Sequence, residues 1–332
     1  MVLNAFLQPD DNYAPYAGVA ITSLFENNKH FNEINIYIVS LAMNKENRDR
    51  YLKLAEKYGR RIVFVDVDDI VEYLKSNNMP EYAGSYATYV KLFCISKFDS
   101  GIDRMIYIDA DMIIDGKMDE LVNCDLQGIP CAMALDRTCN FYKKGIGLKE
   151  NDCYYNAGLI VFNMYEWRKQ KCEEKIKNHI ENVRAVYPFC DQDLLNVLFS
   201  EKVKLLPLKF NYNTDIILYN DAKFYCDIYD TPENYYTIKE IEQAAKEVVV
   251  YHCFESIASR PWVKNSSFPN PMKELWDHYL NMSEWSDFEG IEKEFPKYIK
   301  LQTIGYKILP KKLYAKICCL FLHKRMKMRL GD

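Results

Sequence analysis

Short β-branched and aromatic runs alternate with longer helical patterns along the first third of the chain, and that alternation restricts the available folds more than any single residue does. Residues 3–7, 34–39 and 62–67 read as strands, and residues 16–25 and 44–58 as helices. Residues 86–97 read as a helix leading into a strand over 104–108, with further strands at 131–135, 159–162 and 248–251 and helices near 172–185 and 192–199. Repeated βαβ units of this kind predict an α/β fold with a mixed, mainly parallel central sheet covered by helices. Ligands of such sheets bind beyond the carboxyl ends of the strands, so the residues that follow each apolar run are the candidates for chemistry.

The strongest candidate is Ile106-Tyr-Ile-Asp109-Ala110-Asp111-Met-Ile-Ile, where two carboxylates interrupt an apolar stretch. Read as one strand, it would project Asp109 and Asp111 from the same side. At about 5 Å and an effective dielectric of about 20, two such charges repel by roughly 3 kcal/mol, a sign that a divalent cation reverses. Mg²⁺ and Mn²⁺ prefer oxygen ligands and habitually bridge to phosphate. The alternative is a capped turn, with Asp111 and Asp115 bonding nearby backbone N–H groups.

Other polar groups sit at equivalent edges. Asp10-Asp-Asn12-Tyr13 lies between the first strand and first helix, either as a binding surface or as a helix cap. His252 follows the run 248–251 and is either a third ligand or a structural histidine. Asp191 and Gln192 open the helix near 192–199, where Asp191 either caps it or meets a polar substrate. The twelve glycines never fall in a Gly-x-Gly-x-x-Gly or P-loop pattern, so a bound nucleotide would need a metal and side chains to hold its phosphates.

Considered in order, Asp10-Asp-Asn-Tyr13, Thr88-Tyr-Val-Lys-Leu92, Tyr107-Ile-Asp-Ala-Asp111, Tyr155-Asn-Ala-Gly158, Asp191-Gln-Asp193, Phe210-Asn211 and His252 followed by Pro261-Trp262 resemble glycosyltransferase family 8. That group includes bacterial lipooligosaccharide galactosyltransferases and, more distantly, glycogenin. The resemblance covers about residues 1–280 and implies a GT-A fold, a UDP-sugar donor, a glycan acceptor, transfer with retention of anomeric configuration, and Mn²⁺ or Mg²⁺. It implies that Asp109, Asp111 and His252 hold the metal. Asp10, Asn12, Tyr13, Lys91, Ala110 and Arg260 would line the nucleotide. Asn156, Asp191 and Gln192 would meet the donor sugar, and Asp136 the acceptor. Two departures stand out. Lys91 occupies a position where many relatives carry Arg, and the 252–262 segment is about two residues longer than the usual motif, with Arg260 in place of its lysine. The other readings of the acidic pair are a metal-dependent nucleotidyltransferase or phosphohydrolase, and a non-catalytic sugar-nucleotide binder.

The C-terminus reads separately, and the chain divides into a catalytic domain over 1–280 and a helical extension over 281–332. Residues 296–332 carry ten Lys and Arg against one acid, so a chain of net charge −4 has −13 over residues 1–295. Leu313, Ile317, Leu320 and Phe321 recur at helical spacing among these cations. The pattern suits either docking on an anionic membrane surface or packing on the body, and its apolar run is too short to span a bilayer. No nucleic-acid motif accompanies the basic tail. Eleven cysteines without Cys-x-x-Cys or zinc-like spacing, and an N-terminus lacking a charged segment before a long apolar one, predict a reducing, cytoplasmic setting, to which the basic tail adds peripheral contact with the inner face of the membrane.

Overall fold

The computed structural model describes residues 1–40, 43–81, 85–183 and 187–331. Strands β1 (Val2–Leu7), β2 (Glu33–Val39) and β3 (Arg61–Val65) are parallel neighbours, as their Val/Ile content and intervening helices require. β4 (Arg104–Ile108) joins β1 in parallel. A short β5 (Met112–Ile114) follows, then β6 (Cys131–Leu135), β7 (Tyr155–Asn163), β8 (Val203–Leu205), β9 (Tyr212–Asn213) and β10 (Val250–His252). Among the described residues the main sheet has the order β3-β2-β1-β4-β7-β6-β8, and β5-β10-β9 forms a second, smaller sheet.

The sheet is mixed because β7 runs antiparallel to both β4 and β6. All nine positions of β7 are apolar or small apart from its two asparagines, and eight are buried, as expected of a strand covered on both faces. Helices cover each face and close two large apolar cores. One is built around Phe6, Tyr107, Phe162 and Trp167, the other around Phe25, Ile36, Ile108 and Trp285. Mixed sheet and covering helices are the α/β architecture expected from the sequence, and the C-terminus is helical as expected.

Two expected elements differ. The helix expected over 86–97 is only Ala87–Val90 followed, after a turn, by a 3₁₀ segment at Ile95–Lys97. The run Leu92-Phe93-Cys94-Ile95 that follows the short helix is wholly buried. The stretch 106–114 is likewise two strands rather than one. Residues 109–111 reverse the chain, with the Met112 N–H donating to Asp109 O at 3.2 Å. The end of the expected helix near 172–185 is observed to Val183, and Ala185 lies outside the described residues.

The C-terminus forms helices Lys297–Ile308 and Lys311–Leu330. The second packs through Tyr314, Ala315, Cys318 and Met326, while Leu301, Ile304, Ile308, Leu320 and Phe321 stay exposed among lysines. The expected apolar face is therefore split. Its Leu313, Leu320 and Phe321 face outward, and a neighbouring stripe does the packing. No helix among the described residues is long and apolar enough to cross a membrane.

Candidate active site

The reversal at 109–111 places both carboxylates beyond the end of β4, and β10 brings His252 to them. β10 pairs antiparallel with β5 so that His252 lies opposite Met112, and the Cys253 N–H donates to Asp111 O at 2.9 Å. Convergence therefore comes from a turn and a second sheet, not from the pleat of one strand. His252 Nε2 lies 3.2 Å from Asp111 Oδ1 and 3.8 Å from Asp109 Oδ2. One donor atom from each of these three residues falls within 4.8 Å of the other two.

The imidazole is oriented from behind. His252 Nδ1 is 2.8 Å from Asn211 Oδ1, an acceptor, which orients the ring so that Nε2 points at the two carboxylates, as a donor when it carries a proton and as a ligand when it does not. Three acceptors at such distances require a proton or a metal cation between them. Two hard oxygens and one nitrogen fit Mn²⁺ or Mg²⁺. Arg260 supplies part of the compensating charge, with Nη2 at 2.8 Å from Asp111 Oδ2. Burial alone would raise the Asp111 pKa, but Arg260 and His252 outweigh it and bring that carboxyl to about 2.

β7 adds the other wall. Because Ile108 pairs with Leu159, the Asp109 N–H donates to Gly158 O at 2.8 Å. Asn156, Ala157 and Gly158 thus line the same edge as the acidic pair. A Cβ at Gly158 would collide with the His252 imidazole and lie 2.8 Å from Met112 Cε and 2.9 Å from Asn156 Oδ1. Only glycine lets the backbone pass this close to the imidazole.

Lys91 links the acidic pair to Asp191. Its ammonium lies 2.8 Å from Asp191 Oδ2 and 3.8 Å from Asp109 Oδ1, donates to Ala157 O at 3.1 Å, and sits 4.2 Å from the centre of the Tyr107 ring. Burial would lower the Lys91 pKa, yet Asp191, Asp109 and Asp111 together raise it. Asp191 is raised to about 6 by burial, with Lys91 opposing and Asp109 adding repulsion. The two directions agree, since the surrounding negative charge favours the Lys91 ammonium while burial favours the neutral form of Asp191. The helix Cys190–Phe199 carries Asp191 inward rather than being capped by it, and starts at Cys190 with φ +49°, a left-handed conformation that costs roughly 1–2 kcal/mol for a residue with a Cβ.

Gln192 is held on both ends of its amide. Nε2 donates to Asp136 Oδ2 at 2.8 Å and to Tyr154 Oη at 3.1 Å, while Oε1 accepts from the Ala157 N–H at 3.1 Å. Asn156 Nδ2 donates to Asp136 Oδ2 at 3.1 Å and to Gln192 Oε1 at 3.2 Å. Asp136, Asn156 and Gln192 therefore form one network beside Lys91 and Asp191.

The N-terminal loop reaches this site through Arg260, whose Nη1 donates to the Tyr13 hydroxyl at 3.0 Å. Tyr16 stacks on Trp262 at 4.1 Å, fixing the loop against the 252–262 segment. Asp10 Oδ1 accepts from the Tyr13 N–H at 2.9 Å, and Asn12 is exposed in the turn between them. Ala110 is half-buried between the two acids. Several supporting residues carried no assigned role in the sequence reading. Tyr107 donates to Asp109 Oδ1, and Asn211 holds His252. Arg137, stacked between Tyr229 and Phe254, pairs with Asp215 at 2.9 Å. Asn211 stood in a quoted motif, whereas Arg137 and Asp215 lie 78 positions apart with no shared pattern.

The family described as glycosyl transferase family 8 matches residues 4–265. A putative glycosyltransferase of Haemophilus influenzae is 32% identical over 231 residues, covering 68% of each chain. A lipopolysaccharide 1,2-glucosyltransferase of Escherichia coli K12 is 27% identical over 86% of this chain and 79% of its own. The fold is similar to that of the galactosyltransferase LgtC in complex with donor and acceptor sugar analogues, with a TM-score of 0.67 at 21% identity, covering 90% of this chain and 99% of that one.

Proposed function

The chain belongs to glycosyltransferase family 8, and from that premise we propose that it transfers a hexose, galactose or glucose, from a UDP-sugar to a glycan acceptor with retention of configuration, assisted by Mn²⁺ or Mg²⁺. The observation that carries this reading is the convergence of Asp109, Asp111 and His252, each offering one ligand atom within 4.8 Å of the other two, a donor set that suits a cation. A cation held by these three residues would neutralise the donor's diphosphate and make UDP a better leaving group.

The remaining roles fall to the chain itself. Asp10, Asn12, Tyr13 and Ala110 line the nucleotide side, with Arg260 beside the diphosphate. Asn156 and Asp191 meet hydroxyls of the donor sugar, and Lys91 keeps Asp191 ionised at neutral pH. An amide is a poor nucleophile, so Gln192 acts by electrostatics. Its amide oxygen, fixed by the Ala157 N–H, faces positive charge developing on the sugar without needing to reorganise. Front-side attack through a state with oxocarbenium character then accounts for retention, with Asp136 beside the acceptor.

Relatives named for lipopolysaccharide glucosyl transfer support a lipid-linked or polysaccharide acceptor. On the same reading residues 1–280 form the catalytic unit and the C-terminal helices a peripheral contact with anionic membrane. Exposed Leu301, Ile304 and Ile308 beside Lys300 and Lys307 support that contact.

The test is a panel of UDP-sugars incubated with the protein, Mn²⁺ and chelator controls, with UDP release as readout. Cation-dependent turnover of one UDP-hexose is expected, lowered at least about 100-fold by Asp111→Asn, as loss of a central electrostatic group does elsewhere. Hydrolysis of nucleoside triphosphates with no turnover of any UDP-sugar overturns the proposal.

A further inference from the structure

A second cluster of ligating side chains lies away from the candidate active site, where three helices meet. The helix Ala222–Tyr229 ends at Asp230, which takes a left-handed conformation (φ +48°) and turns its N–H onto Cys226 O. The C-terminal helix Lys311–Leu330 packs against that helix and against Asn140–Gly145, whose N-terminal neighbour is Cys139. Cys319 and His323, four residues apart, share one face of the C-terminal helix. One ligating atom from each of Asp230, Cys319 and His323 lies within 4.8 Å of the other two, and His323 Nε2 is 2.8 Å from Asp230 Oδ2.

We propose that Asp230, Cys319 and His323 bind one Zn²⁺ ion that fastens the C-terminal helix to the body. One thiolate sulfur, one imidazole nitrogen and one carboxylate oxygen match the donors and the three-protein-ligand count of an open zinc site. The sulfur disfavours Mn²⁺ and Mg²⁺, in contrast to the all-oxygen-and-nitrogen set of Asp109, Asp111 and His252. Asp230 is exposed and His323 only partly buried, which leaves the fourth position to water. The Cys319 thiol must give up its proton to bind as a thiolate. Zinc binding therefore releases that proton to solvent as the Zn–S bond forms. The site is hidden from sequence spacing because Asp230 lies 93 residues before His323.

The experiment uses the full chain, reduced and stripped with chelator. Titration with Co²⁺, a spectroscopic substitute for Zn²⁺, should give a thiolate-to-metal charge-transfer band that saturates at about one equivalent and is displaced by Zn²⁺. Cys319→Ser should abolish the band, and the partly exposed His323→Ala should weaken Zn²⁺ binding by about tenfold or more while far-ultraviolet circular dichroism is unchanged. Zinc should also slow proteolysis of the C-terminal helix in the wild type and not in Cys319→Ser. Absence of the band at stoichiometric cobalt overturns the proposal, as does its persistence in Cys319→Ser, which would assign it to another thiol.

Discussion

Replacing Lys91 by methionine gives a pH-resolved test of the buried charge cluster. Asp191 has a pKa of about 6 against an ordinary value near 3.8, because burial raises it and Lys91 only partly offsets that. Between those two values the folded chain holds more protons than the unfolded chain, so stability falls as pH rises through that window. At about 1.36 kcal/mol for each pH unit, roughly 3 kcal/mol is lost by pH 6 and little more above it. Methionine keeps much of the stem's volume but removes the charge 2.8 Å from Asp191. The carboxyl pKa then climbs further, and the loss continues above pH 6. Beyond any pH-independent packing cost, the variant should match the wild type near pH 5 and fall progressively further behind it as pH rises from 6 to 8, by at most about 1 kcal/mol for each pH unit. Urea denaturation at the three pH values, in chelator and at constant ionic strength, reads this from the midpoints at unchanged slope. A deficit that is independent of pH, or largest at pH 5, refutes the claim that Lys91 acts mainly by holding Asp191 ionised.

Three further outcomes are expected. Gly158→Ala drives a methyl into the His252 imidazole, which Asn211 holds in place; Mn²⁺ affinity measured by calorimetry should drop at least about tenfold, as when a ligand's orienting shell is disturbed. Gln192→Ala should lower kcat for transfer by about 10² to 10³ with little change in KM, as expected of a group that acts on developing charge; a pure KM effect would contradict that role. Combined Leu301→Ser, Ile304→Ser and Ile308→Ser changes leave the packed face of the C-terminal helices intact, so thermal stability should hold while flotation with anionic vesicles is lost; undiminished flotation would remove the membrane contact from the reading.

Much of the fold was legible because the first strands and helices obey a period that local sequence expresses directly. The run 104–108 is almost wholly buried, 34–39 alternates buried with half-buried positions, and both strands fall where β-branched content places them. The helix expected over 86–97 failed for a tertiary reason. Leu92 to Ile95 are all drawn into the core, and the chain turns there before the 3₁₀ segment with no local pattern marking the break. The gathering of Asp109, Asp111 and His252 was expected, but its cause was not visible, since a three-residue reversal and a second sheet are set by pairing across 140 positions. The ordered motifs identified Lys91, Asn156, Asp191 and Gln192 as candidates. Their mutual contacts, above all the Asp136–Asn156–Gln192 network, depend on strand neighbours that no local pattern encodes.

The direction of β7 decides where its first residues end up. At about 3.3 Å per residue, a nine-residue strand has ends separated by roughly 26 Å. Running counter to β4, it starts where β4 finishes, so Asn156 and Gly158 arrive at the mouth of the cleft. Laid down the other way, the same nine residues would deliver those groups to the opposite rim of the molecule, and sugar and ion would have no common wall.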